Sequence, residues 1–304
     1  CYADLRARFG LSAQMAVRAI GKAVEVFRRD KRTCPTFQPD GAMTYDERIM
    51  SFKGMDRVSL LTLEGRQLIP LVFGEYQRER FDRIKGQCDV VVRKGKFFLY
   101  CTIDVPEPPQ GGVKKFLGID LGIVNIATTS EGQTFSGEQI ERCRRRHAKA
   151  RQQFQRCNTR GARRRLKQMS RRQRRFQTTV NHTISKQLAA FAKALNRGLA
   201  LEDLTNIRTR IEHTARRKQR ARLSNWAFRQ LREFIAYKAK LAGVPVCFVD
   251  PRNSSRECSQ CSYTDKANRK TQADFLCGQC GYAAHADFNA ASVLAARGAV
   301  NRSD

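Results

Sequence analysis

The hydrophobic pattern of the chain changes its period twice and predicts helix, then strands, then mixed helix and strand. Residues 11–31 carry apolar side chains at near-helical spacing, which predicts a helix with Ser12 as its cap. Residues 44–105 switch to short apolar runs separated by glycine-containing turns, which is typical of antiparallel strands, and we expect a small β-barrel. The Pro- and Gly-rich residues 105–112 have no period and predict a domain boundary.

The second half of the chain alternates apolar runs with longer helical patterns. FLGIDLGIVNIATTS, residues 116–130, predicts a β-hairpin inside a core, with Gly122 easing the turn. Further strands are expected at 134–136, 199–204 and 245–251. Helices are expected at 141–177 with a break at Gly161, at 179–195, at 226–242 and at 284–296. This alternation predicts an α/β fold.

Three acidic residues, distant in sequence, stand at the edges of these apolar elements. Asp120 lies in the hairpin, Glu202 is carried by the strand LALEDL, and Asp287 stands at the head of the last helix. Burying an unpaired carboxylate is costly, so each acid needs a partner or a function. A satisfied polar group at a strand end would explain Asp120 alone. The three together indicate a Mg²⁺ site, because this ion prefers oxygen ligands and pairs of such ions can cleave phosphodiesters. We therefore take them as the catalytic centre.

The net charge of +30 and a pI near 10.4 indicate a polyanionic partner. Residues 141–177 hold 16 Lys or Arg and one acid, so self-repulsion would be severe without a polyanion, and we expect nucleic-acid contact there. Basic turns in residues 44–105 could be either nucleic-acid contacts or solvated tips. No apolar stretch is long enough to span a membrane and no signal peptide opens the chain, so we expect a cytoplasmic protein without a membrane partner.

Four of the 11 cysteines are paired by spacing, in CSQCSYTDKANRKTQADFLCGQC. The two Cys-x-x-Cys knuckles predict a structural Zn²⁺ site, because four thiolates leave no open position for water. A pair of disulfides is the alternative, disfavoured in a reducing cytosol. Lys266, Arg269 and Lys270 lie between the knuckles, where they can face phosphates. The predicted zinc ligands are Cys258, Cys261, Cys277 and Cys280.

The order GIDLG, LEDL, four-cysteine ribbon and HADFNAA resembles the TnpB (OrfB) proteins of insertion sequences, relatives of the compact type V CRISPR effector nucleases. The resemblance covers most of the chain and matches Asp120, Glu202 and Asp287 to the family's catalytic acids, the acidic set of RNase H-like nucleases. It also matches the four cysteines to the family's zinc ligands. Ser262 stands where glycine commonly follows the second cysteine, which predicts a mild distortion of the first knuckle.

The resemblance implies a domain order. Residues 1–31 would end a helical recognition domain, residues 32–110 would form a wedge-like β-barrel, and residues 111–304 would form a RuvC-type RNase H-like nuclease domain. A zinc ribbon that binds target nucleic acid would be inserted at about 254–283. Since the chain opens on Cys1 directly in helix-like sequence, we expect an N-terminally truncated fragment.

The function implied by the resemblance is RNA-guided, Mg²⁺-dependent cleavage of DNA, with a guide RNA and a target DNA as partners. The alternative is a catalytically silent nucleic-acid-binding regulator or a remnant of a transposase. A transposase that acts through a covalent intermediate is a weaker alternative, because no Tyr or Ser nucleophile motif supports it.

Overall fold

The structure is a computed structural model that describes residues 1–157, 159–203 and 227–300. It divides into two compact units, Cys1–Pro106 and Glu107–Asp304. The division falls inside the Pro- and Gly-rich residues 105–112. Within the described ranges no helix combines the length and the apolar character that a membrane crossing requires.

The N-terminal unit begins with two helices, α1 (Tyr2–Phe9) and α2 (Ala13–Arg29). Ser12 caps α2 as predicted, because its hydroxyl accepts a hydrogen bond from the Met15 backbone N–H at 3.3 Å. Arg18 and Gln14 of α2 both donate to the carboxylate of Asp46, which is buried. This network ties α2 to the strands that follow. A one-turn helix, α3 (Glu75–Arg78), lies between the strands.

The strands of this unit form two antiparallel sheets of three strands each. One sheet contains β1 (Met43–Tyr45), β5 (Ile84–Arg93) and β6 (Lys96–Ile103) in the order β1-β5-β6. The other contains β2 (Met50–Lys53), β3 (Arg57–Thr62) and β4 (Gly65–Pro70) in chain order. The predicted hairpin tip at Lys94-Gly95 is present, with positive φ at both residues, as a tight turn requires. Met15, Ile49, Val58 and Leu60 are among the residues of one shared core.

The C-terminal unit is built on a mixed sheet of five strands. Their bounds are β7 (Phe116–Asp120), β8 (Asn125–Thr129), β9 (Thr134–Ser136), β10 (Gly198–Glu202) and β11 (Val246–Val249). The order across the sheet is β11-β10-β7-β8-β9. β7 pairs with β8, and β8 with β9, in antiparallel fashion, whereas β10 runs parallel to both of its neighbours. The predicted hairpin and the three further strands are therefore confirmed.

Four helices accompany this sheet: α4 (Glu138–Cys157), α5 (Arg160–Ala194), α6 (Phe228–Ala242) and α7 (Ala286–Val300). The predicted break at Gly161 is wrong. α5 begins at Arg160, capped by the Thr159 hydroxyl, and continues for 35 residues through the segment predicted as a separate helix. The reason is composition, because Arg, Lys, Gln and Ala dominate and no proline occurs, so one glycine in the first turn costs little.

α7 packs directly on β7 because both contact surfaces are small. A Cβ atom at Gly118 of β7 would lie 1.8 Å from the Ala291 carbonyl oxygen of α7. Ala290 and Ala291 are buried, and Leu294 is fully buried beside them. This close approach brings the first turn of α7, with Asp287, to the sheet.

The chain before α7 forms a small ribbon. Its two strands, β12 (Asp274–Leu276) and β13 (Ala283–His285), pair in antiparallel fashion, and β13 leads directly into α7. The ribbon has its own small core, in which Phe275 packs with Cys258, Cys277 and Ala286. The Asn289 amide of α7 donates to the Glu257 carbonyl at 2.7 Å and its oxygen accepts from the Ser259 backbone N–H at 2.9 Å, which fixes the ribbon to the helix.

Candidate metal centres and nucleic-acid surface

The three predicted acids gather at one edge of the five-stranded sheet. Asp120 ends β7 and Glu202 ends β10. Ile119 lies opposite Leu201 in the parallel pairing of these strands, so their carboxyl ends meet at the same edge. The electrostatic influence of both Glu202 and Asp287 on Asp120 places all three carboxyl groups in one local environment.

The protonation of this cluster reflects its burial. Burial raises the pKa of Asp120 well above its usual range, and the neighbouring charges of Glu202 and Asp287 raise it further. Burial raises the pKa of Glu202 to about 7, against the hydrogen bond from the Ser254 hydroxyl and the positive charge of Arg297. The Ser254 hydroxyl lies 3.2 Å from the Glu202 Oε1 atom. Such a set is costly when ionised, and a divalent cation would relieve that cost.

The donor set fits Mg²⁺ by its chemistry. It offers only hard oxygen ligands, and Mg²⁺ keeps several waters, so it does not require a closed protein cage. Across the described residues, the group of three or more candidate ligands whose atoms all lie within 4.8 Å of one another is the cysteine tetrad. The three carboxylates are therefore gathered but more widely spaced than the tetrad.

Two arginines approach the acids from outside the sheet. The Arg269 Nη2 atom, from the ribbon, lies 3.8 Å from the Asp287 Oδ1 atom, and its charge opposes the rise in the pKa of Asp120. Arg297, in the last turn of α7, pairs with Glu257 and donates to the Asp250 carbonyl at 2.5 Å. Sequence reasoning had placed Arg269 among residues facing phosphates, but it had not identified Arg297, Ser254 or Asn125. The signal for Arg269 was its position between the knuckles, whereas the others required the fold.

Asn125 is the third polar contact of the cluster. Its side-chain amide nitrogen lies 3.0 Å from the Asp287 Oδ2 atom and donates a hydrogen bond to it. Asp287 is 14% exposed at its side chain, and so it is held between Asn125 on one oxygen and Arg269 on the other.

The four cysteines predicted as zinc ligands lie together, with all four Sγ atoms within 4.8 Å of one another. The Sγ atoms of Cys258 and Cys280 are 3.6 Å apart and those of Cys261 and Cys277 are 3.5 Å apart. These distances exclude a disulfide, whose sulfur atoms are ~2.05 Å apart. Four sulfurs ~2.3 Å from a tetrahedral Zn²⁺ would be ~3.8 Å apart, which the tetrad approaches. The residues therefore fit a structural zinc ion.

The knuckles also show how the thiolates are supported. The backbone N–H of Cys280 donates to the Cys277 sulfur at 3.5 Å, and this contact lowers the pKa of the Cys277 thiol to about 6. Ser262 and Gly281, which follow the second cysteine of each knuckle, both adopt the left-handed conformation, with φ of 61° and 73°. The serine therefore follows the path of the glycine, at a cost in backbone strain, and the predicted distortion takes that form.

A basic surface follows the N-terminal half of α5. The helix contains no Asp or Glu, and its residues Arg164, Arg165, Arg171, Arg172, Arg174 and Arg175 are exposed. The C-terminal half of the same helix is apolar on one face, where Ile184 and Leu188 are buried in the core of the unit. One helix therefore joins the sheet at one end to a strongly positive surface at the other.

Comparisons with known protein families agree with the predicted resemblance. Residues 98–209 match the family model described as a probable transposase, OrfB of IS605. Residues 228–294 match the family model of the Cas12f1-like TNB domain. The resemblance to the TnpB (OrfB) proteins and the compact type V effectors is thereby confirmed.

Individual relatives bear similar names. The CRISPR-associated endodeoxyribonuclease Cas12f1 of Sulfoacidibacillus thermotolerans is 32% identical over 243 residues, which cover 74% of this chain and 54% of that protein. A TnpB-like protein of Methanocaldococcus jannaschii is 35% identical over 115 residues, covering 38% of this chain and 40% of the relative. The chain thus spans about half, or less, of the length of these relatives.

A solved structure titled as the mini-RNA-guided endonuclease CRISPR-Cas_phi3 is similar in fold. Its TM-score is 0.51 with 13% sequence identity, and the match covers 80% of this chain and 57% of that one. At this identity the likeness shows the α/β fold alone.

Proposed function

We propose, from the premise that this chain is a relative of the TnpB and Cas12f1-like proteins, that it forms the nuclease portion of an RNA-guided, Mg²⁺-dependent DNA endonuclease. The observation that carries the proposal is the convergence of Asp120, Glu202 and Asp287 at one sheet edge. Buried acids whose charges oppose one another indicate a functional site.

The domain assignment is part of this proposal. Residues 111–304 would form a RuvC-type RNase H-like domain, supported by the mixed sheet and by acids on two adjacent strand ends and one helix. The ribbon at about 254–283 would bind target nucleic acid. Residues 32–110 would form the wedge-like barrel, supported by their two antiparallel sheets, and residues 1–31 would end a helical recognition domain.

The chain's own residues would orient the scissile phosphate. When bound, two Mg²⁺ ions supply an activated water and a positive field for the leaving oxygen. Asp120, Glu202 and Asp287 would hold them, and Ser254 and Arg297 would keep Glu202 in place and favour its ionised form. Arg269, which is 28% exposed at its side chain, remains accessible to a phosphate oxygen beside the acids.

The positive surface of α5 would hold the guide RNA and target DNA through phosphate contacts, which require no base sequence. Sequence would then be read by base pairing with the guide. The zinc ribbon would serve the site structurally, since it carries Arg269 and leads into the helix that carries Asp287.

The test is cleavage of plasmid DNA by the chain with its co-purified RNA and Mg²⁺. We expect cleavage by the wild type and, for Asp120→Ala, loss by more than about a thousandfold with retained nucleic-acid affinity. Asp82→Ala, a change at an exposed aspartate of the N-terminal unit, is the matched control. Equal cleavage by wild type and Asp120→Ala would remove the catalytic assignment. Binding of RNA and DNA without any wild-type cleavage would favour the alternative of a silent nucleic-acid-binding protein.

A further inference from the structure

The loop between β7 and β8 has an unusually tight path that ends at Asn125. A Cβ atom at Gly122 would lie 2.7 Å from the Asn125 carbonyl oxygen, so the loop closes only over a residue without a side chain. The backbone N–H of Gly137 donates to the Val124 carbonyl at 2.7 Å, which ties the loop to the chain after β9. The position of Asn125 is therefore set by backbone contacts on both sides.

The pairing of β8 with β9 is irregular at the same point. Asn125 lies opposite Ser136, but Ala127 lies opposite Phe135, so the register shifts between Asn125 and Ala127. A bulge of this kind redirects the side chain at its edge relative to a regular strand. Val124 next to it is 53% exposed, whereas Asn125 is half-buried and faces the acid cluster.

The contact made by Asn125 has a defined chemistry. An ionised carboxylate only accepts hydrogen bonds, so the Asn125 amide must present its N–H₂ group to Asp287. The bond is 3.0 Å long and joins residues 162 positions apart in sequence. It occupies the Oδ2 atom and fixes the carboxylate plane, while the Oδ1 atom faces the site on the side of Arg269.

We propose that Asn125 is a positioning residue for the metal site: its amide holds Asp287 in the orientation that binds the cation. This inference rests on the proposed function only in assigning Asp287 as a ligand. A hydrogen bond to a ligating carboxylate typically changes metal affinity 10- to 100-fold, so roughly that effect is expected here.

Binding of Mn²⁺ to the chain without nucleic acid, followed by isothermal titration calorimetry, tests the proposal without relying on cleavage. The variants are Asn125→Leu, which keeps the side-chain volume, and Asn125→Ala, which removes it. We expect Mn²⁺ affinity to fall ~10- to 100-fold in both, while melting temperature in a chelator stays near that of the wild type. Thr134→Ala, at an exposed position of β9, is the matched control and should bind as the wild type does.

A second readout separates positioning from simple structural damage. The Mg²⁺ concentration for half-maximal cleavage should rise in Asn125→Leu, while the rate at saturating Mg²⁺ recovers most of the wild-type value. Wild-type Mn²⁺ affinity in both variants would overturn the proposal, as would wild-type chain that binds no Mn²⁺. Failure of the proposed function is distinguishable, because the wild type would then bind Mn²⁺, lose it in the variants and still cut no DNA.

Discussion

Glu202 is a carboxyl group whose affinity for a proton depends on the fold. Burial raises its pKa to about 7 in the folded chain from 4.5 in an ordinary setting. The folded state therefore binds more protons than the unfolded state between these values, and the free energy of unfolding must decrease as pH rises through that interval. Above the folded pKa the penalty is complete and stays constant.

The resulting prediction concerns the protein in a chelator. The melting temperature should decrease between about pH 4.5 and 7 because of Glu202, and Glu202→Gln should be less dependent on pH over the same interval. Cys277, whose pKa is lowered to about 6, contributes in the opposite direction at higher pH, so the measurement is the difference between wild type and variant. Thermal melts in buffers of matched ionic strength provide it. Parallel curves for the two proteins would contradict the assignment of Glu202 as a buried acid.

Ser262 offers a test of backbone strain at a single residue. Its left-handed conformation costs about 1–2 kcal/mol, and replacement by glycine costs about 0.5–1 kcal/mol in unfolded-chain entropy. Ser262→Gly should therefore stabilise the ribbon by roughly 0.5–1 kcal/mol. Gly281→Ala is the matched opposite change, with no heavy atom within 4 Å of the new Cβ, and should destabilise the ribbon. Retention of zinc against a competing chelator measures both, and effects of equal sign would refute the account.

Residue roles could be predicted from sequence where a residue type was unexpected in its setting. Asp120 in an apolar run and four cysteines at knuckle spacing were such cases, and the structure brings each group together. Asn125 was not predicted, because its role depends on a bulge between Asn125 and Ala127 that leaves no mark in the hydrophobic pattern. Arg297 was missed because it approaches Glu202 only after α7 has packed on the sheet.

At the scale of elements, periodicity gave the right types and less reliable limits. The hairpin at β7 and β8, and the parallel strands β10 and β11, follow from apolar runs bounded by turns. The break predicted at Gly161 failed because glycine is tolerated in a first turn where the Thr159 cap already fixes the helix start. The helix predicted to begin at residue 226 begins at Phe228, and residue 226 lies outside the described residues.

The ribbon is the element whose stability should depend most on a metal. Its core consists of Phe275, two of the cysteines and Ala286, with Tyr282 packed beside them, which is little apolar surface for an independent fold. Zinc binding would therefore supply much of its folding free energy. Because β13 leads into α7, an unfolded ribbon would also release the first turn that carries Asp287.

Metal analysis of the purified chain tests this dependence. We expect about one zinc ion per chain, lost in Cys261→Ser, together with a loss of cleavage of about tenfold or more. Cys157→Ser, at an exposed cysteine that follows the basic segment of α4, should retain both zinc and activity. Full zinc content in Cys261→Ser would contradict the tetrad as the binding site, and full activity without zinc would contradict its role in supporting Asp287.

At the scale of the whole molecule, composition predicted the class of partner but not where it binds. A net charge of +30 indicates a polyanion whatever the fold. The structure adds that α5 concentrates exposed arginines in one half and apolar contacts in the other. Local charge on α5 and global charge therefore make different predictions for binding.

Two variants with the same change in net charge separate these predictions. In the first, Arg171, Arg172, Arg174 and Arg175 of α5 become glutamine, which keeps helix propensity nearly unchanged. In the second, four arginines or lysines already paired with carboxylates become glutamine: Arg29, Lys85, Arg142 and Arg229. If α5 contacts phosphates, the first variant should lose ~0.9 per lost contact from the slope of log affinity against log salt for duplex DNA. The second should keep the wild-type slope, because its charges are already compensated within the chain. Equal loss in both variants would mean that nucleic acid responds to the total charge of the molecule, and α5 would then have no special role as its binding surface.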